Sequence, residues 1–166
     1  MQSVGWLVAA VMGAITYVMR TALVVALNGA LYQIWTVPPP PEPPIERLSP
    51  LQEIQISLLT WWYEMSLTGW FKLIVLGAGL GVLLRVRCRR KEHPLLGSNW
   101  LLLATAFLIL WVDYPPALMV QVQQGVIAAG GFLLLLVLVF ALNVVWAGLL
   151  EQSIITLDRR IPEWLA

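Results

Sequence analysis

Leu67-Thr-Gly-Trp-Phe-Lys-Leu-Ile-Val-Leu-Gly-Ala-Gly-Leu-Gly-Val-Leu-Leu84 runs directly into Arg85-Val86-Arg87-Cys88-Arg89-Arg90-Lys91, and this junction decides the fold. The first part is eighteen residues with one charge, Lys72, long enough as a helix to cross a hydrocarbon core of about 30 Å. The second part gathers five of the chain's ten Lys and Arg residues into seven positions. Cationic loops beside a span stay on the cytoplasmic side, because translocating Lys and Arg is disfavoured. The junction therefore predicts a span and the side of the membrane on which it ends.

The rest of the chain has the same character. It is 60% hydrophobic and 11% charged, with a mean hydropathy of +0.81, whereas a soluble domain carries roughly 25% charged residues. Its 166 residues leave room for about four spans of roughly 20 residues each. The expected fold is all-α: one polytopic, multi-pass integral membrane domain of about four transmembrane helices plus a short amphipathic helix on the outer side. A net charge of +1, with the basic residues held in one loop between lipid-buried segments, argues against a nucleic-acid partner. Arg85, Arg87, Arg89, Arg90 and Lys91 read instead as topology determinants that also touch anionic headgroups. Cys88, the one cysteine, can form no intramolecular disulfide.

Upstream, Val4 to Trp35 is apolar apart from Arg20. The central charge and the neutral Met-Gln-Ser start argue against a cleaved signal peptide. As one helix this segment would be about 48 Å long and would overshoot the bilayer. The crossing part is expected at about 17–37, with Val4–Tyr17 left to bend into the interface or pack on another protein. Arg20 then either snorkels to the inner headgroups or is buried against a partner; the apolarity of Val4–Tyr17 favours the second.

Six prolines between Pro38 and Pro44 impose a polyproline conformation on an outer loop at 38–50, a stiff spacer of roughly 20 Å. Ser49-Pro50-Leu51-Gln52 then reads as an N-cap, a first-turn proline and a capping box. The amphipathic helix that follows leads into the second span at 67–84. Trp61, Trp62 and Trp70, with Tyr63, form an aromatic belt that meets headgroups or a partner.

Within that span Gly77 and Gly81 make a GxxxG face, widened by Gly79, that lets another helix approach closely. Further spans are expected at 95–112 and 126–149, joined by an outer turn at Asp113. Gly130 and Gly131 offer a second flat face. Asn143, deep in the last apolar run, is expected to hydrogen-bond a neighbouring helix. Arg159 and Arg160 put the tail 151–166 on the same side as the loop 85–94, so both termini are expected in the cytoplasm.

Chemistry-bearing patterns are scarce. No Ser–His or Cys–His pair, HExxH, phosphate loop or CxxC occurs, and His93 has no companion ligands. The acidic residues fall in loops or at rims, not inside the expected spans. No catalytic, metal or cofactor site is expected, and bound lipids are the ligands anticipated. The chain is read as a non-catalytic structural or accessory subunit of a larger membrane complex. It would meet other integral membrane subunits through its glycine-rich faces and N-terminal helix. One alternative is a homo-oligomeric pore or small transporter lined by Gln121, Gln124, Asn143 and Lys72. A second is a membrane scaffold or assembly factor.

Overall fold

The structure, a computed structural model, describes residues 2–35, 49–90, 92, 98–113 and 126–164, and these form five helices and no strand. In chain order they are α1 (Gln2–Trp35), α2 (Pro50–Glu64), α3 (Leu67–Arg89), α4 (Asn99–Asp113) and α5 (Val126–Trp164). Three hold stretches long and apolar enough to cross a membrane: Val4–Leu31 in α1, Leu67–Arg89 forming α3, and Gly130–Arg160 in α5. α4 is equally apolar, but its 15 residues rise only about 22 Å. The prolines of the expected outer loop, Lys91, and Gln121 and Gln124 lie outside the described residues.

Local signals set the helix boundaries where the sequence places them. Ser49 caps α2 through a reciprocal pair: its N–H donates to Gln52 Oε1 at 2.8 Å, and its Oγ accepts from the Gln52 N–H at 3.3 Å. Ser66 caps α3, its Oγ accepting the Gly69 N–H at 3.1 Å. Because an N-cap needs an extended backbone, and Ser66 adopts one, α2 and α3 are separate helices rather than one. Trp70, in the first turn of α3, closes the joint. Its ring lies 5.3 Å from Trp61 and 5.1 Å from Trp62.

α1 lies against α2, α3 and α5. Gly5 meets Arg85, while Gly13 meets Gly77 and Gly81, so α1 runs antiparallel to α3. Tyr17 against Trp146 and Arg20 against Asn143 make it antiparallel to α5 as well. From Gly5 to Val24 its buried positions, Gly5, Ala9, Gly13, Tyr17, Arg20 and Val24, recur every three or four residues, as one face of a helix must. The opposite stripe, Val4, Leu7, Val11, Ile15, Met19 and Leu23, is exposed and wholly apolar.

The first span is expected at about 17–37, and the stretch of α1 long and apolar enough to cross is Val4–Leu31. Gly5 to Tyr17 of α1 lies against the half of α3 from Gly77 to Arg85. Val4–Tyr17 is therefore not a surplus left outside the bundle. Its small residues match those of α3, and matching surfaces decide register where hydropathy alone cannot. The segment 151–164, expected as a tail, continues α5 without a break, and Glu151 and Ile154 within it are buried.

Candidate functional site

Two apolar clusters make up the core. One gathers Ala9, Tyr17, Leu84, Ile109, Trp146, Ala147, Leu150 and Ile154; the other joins Val24 to Phe132, Leu135 and Val139. Between them, along both α1 and α5, lies a polar centre. Arg20 Nε donates to Asn143 Oδ1 at 2.7 Å, and Asn143 Nδ2 donates to the Ala106 carbonyl of α4 at 3.2 Å. The guanidinium also stands 5.5 Å from the Tyr17 ring centroid, a cation–π geometry, and Tyr17 in turn meets Trp146 edge-on at 5.6 Å. Arg20 is 1% exposed and Asn143 0%. One amide thus accepts from α1 and donates to α4 while carried on α5, which ties three helices at one level. Arg20 lies fifteen residues along α1 from the level of Gly5 and Arg85, about 22 Å, well inside the apolar length of the bundle.

At the basic end the cluster divides. Arg85 is 2% exposed and makes a two-pronged contact with Asp158 of α5, Nη2 to Oδ1 at 2.9 Å and Nε to Oδ2 at 3.3 Å. Its guanidinium also lies 4.6 Å from the Trp6 ring centroid. Arg87 is 4% exposed; its Nη1 donates to Glu151 Oε2 and its Nη2 to Asn99 Oδ1 at 3.1 Å. Two residues apart on a helix point about 200° away from each other. Both are buried because α1 and α5 enclose Arg85 while α5, with Asn99 at the start of α4, encloses Arg87. Arg89 and Arg90 are exposed, with Arg89 Nε 3.9 Å from Asp158 Oδ2.

The glycine face is equally selective. A Cβ on Gly77 would lie 2.7 Å from the Gly13 carbonyl oxygen and 2.8 Å from the Ala14 Cα, and one on Gly81 would strike the Ala9 carbonyl. Gly79 points the other way with nothing within 4 Å, and Gly130 is likewise open. Gly131 is half-buried. Gly29 of α1 admits α2 in the same manner, its missing Cβ falling 2.7 Å from Ser57 Oγ and 2.9 Å from the Glu53 carbonyl.

Of the residues singled out from sequence, Gly77, Gly81 and Asn143 are drawn into helix contacts within this chain. Arg20 is buried, as the favoured reading expects, but against Asn143 of its own chain instead of a partner or lipid headgroups. Arg85 and Arg87 turn inward, whereas Trp62 and Lys72 stay exposed. Sequence reasoning passed over Gly5, Ala9 and Gly13, although their spacing of four is the same small-residue signal read in α3. It also passed over Asn99, Glu151 and Asp158, the counterparts of the buried arginines. An acidic residue within an apolar helix is itself a signal that a cation lies near. Among the described residues, no cluster of three or more His, Cys, Asp or Glu residues is placed to hold a metal ion.

The described residues form a helical fold, without strands, in which three helices are long and apolar enough to cross a membrane. The chain has no significant match among protein-family models, curated proteins or solved structures.

Proposed function

We propose that the chain is a non-catalytic structural subunit of a membrane protein assembly, embedded through α1, α3 and α5 with α4 as a fourth, shorter crossing. The observation that carries this reading is the engagement of buried polar groups with one another inside the chain. Arg20 meets Asn143, Arg85 meets Asp158, and Arg87 meets Glu151 and Asn99. Polar pairs buried in apolar surroundings fix which helices are neighbours and at what register. A helix set built this way is a rigid insert with apolar outer faces, suited to packing beside other membrane helices.

A pore would need Asn143 turned toward a water-filled lumen; its amide is instead occupied by Arg20 and the Ala106 carbonyl, which favours the structural reading. The basic end, bearing Arg85 to Arg90 and Arg159–Arg160, is assigned to the cytoplasm by its charge. Extraction in a mild detergent followed by native electrophoresis tests the role. Co-migration with other membrane chains well above the 18.5 kDa of this one is expected, and migration alone at monomer size overturns it.

A further inference from the structure

The charge remaining on the basic end after internal pairing points to a surface for lipid. Arg85 and Arg87 are consumed by Asp158 and Glu151. Arg89 and Arg90 at the end of α3 remain exposed, as do Arg159 and Arg160 on α5. The two pairs belong to one surface, because Asp158, next to Arg159 in sequence, reaches both Arg85 and Arg89. Four exposed guanidinium groups thus flank this contact, and the opposing charges among the described side chains there are exposed Glu92 and the part-exposed Asp158, which lies 3.9 Å from Arg89. Directly along the bundle from them lie exposed apolar side chains, Val4 and Leu7 on α1 and Leu149 on α5. Cations at the rim of an acyl-facing surface match the head and tails of a phospholipid, which free phosphate does not.

We propose that Arg89, Arg90, Arg159 and Arg160 form one bipartite surface for anionic phospholipid headgroups, with the Arg85–Asp158 pair holding the ends of α3 and α5 at the spacing the surface needs. Arg85 and Arg87 take no part in headgroup contact. The inference rests on the membrane-embedded reading above. Guanidinium groups suit it, since each can present parallel N–H donors to phosphate oxygens.

The test is native mass spectrometry of the full chain released from micelles containing equal amounts of phosphatidylglycerol and phosphatidylcholine. The expected result is retention of the anionic lipid over the zwitterionic one by about fivefold or more. Excess inorganic phosphate should leave that ratio unchanged. Arg89→Gln/Arg90→Gln and Arg159→Gln/Arg160→Gln should each lower the preference and together abolish it, while Arg87→Gln keeps it. The four arginines are exposed, so the variants should fold, and each pair tested separately is decisive should the fourfold variant fail to fold. Equal retention of the two lipids by the wild-type chain, or an undiminished preference in both double variants, overturns the proposal. A chain that carries neither detergent nor lipid would fail the membrane reading as well, a result distinct from equal retention.

Discussion

Gly13 and Gly77 exclude each other's side chains: a Cβ on Gly77 would lie 2.7 Å from the Gly13 carbonyl oxygen, and one on Gly13 would strike the Gly77 carbonyl in return. Two backbones in direct contact leave nothing flexible to move aside. Gly77→Val or Gly13→Val should therefore push α1 from α3 at a cost of about 1–3 kcal/mol. Gly79→Val, on the open side of the same helix, should be near neutral. Denaturation in mixed micelles, followed by circular dichroism, would reveal equal losses at Gly77 and Gly79 if this seam were absent.

The polar centre should behave as a coupled unit. Asn143→Leu removes the acceptor of Arg20 Nε and should cost about 2–3 kcal/mol, as expected for a hydrogen bond to a charged group. Arg20→Leu removes the charge instead and should cost less, roughly 1–2 kcal/mol. The double variant should be less destabilised than the sum of the two. Additivity within about 0.5 kcal/mol would mean that the two side chains do not meet.

The two buried arginines at the basic end should differ in strength. Glu151 is nearly as enclosed as Arg87, so Arg87→Gln should cost about 3 kcal/mol by stranding a buried carboxylate. Asp158 retains 27% of its side-chain exposure, and water can take over part of the role of Arg85. Arg85→Gln should accordingly be the milder change, at about 1–2 kcal/mol. Added salt should weaken the Arg89–Asp158 contact first, since Arg89 is 41% exposed and mobile ions screen exposed charges best. Unfolding midpoints of the single variants at low and high salt check the order.

Orientation can be read chemically. In a Cys88→Ser background, Arg90→Cys should react with a membrane-impermeant maleimide only from the cytoplasmic face, and Pro40→Cys only from the opposite face. Labelling of both from one side would falsify the assignment of α1 as a crossing helix.

Much of this molecule is legible along the chain because the forces involved act within a turn or two. The capping box at Ser49 and Gln52, the start of α3 beyond Ser66 and the helical character of the apolar runs all depend on neighbours within four residues. The glycine face at Gly77 and Gly81 is legible too, as a surface inviting a helix. Its mate is not, because hydropathy rates Val4–Tyr17 and Thr21–Val37 alike, and only the fit of Gly5, Ala9 and Gly13 against α3 selects the first. The fate of each charge is likewise a matter of distance in space. Arg20, Arg85 and Arg87 lie 123, 73 and 64 residues from Asn143, Asp158 and Glu151. Basic clustering alone reads Arg85 and Arg87 as surface charge. Packing of the last helix beside α3, with Asn99 at the start of α4, brings acceptors to both Arg85 and Arg87, and there burial with a partner replaces exposure to water.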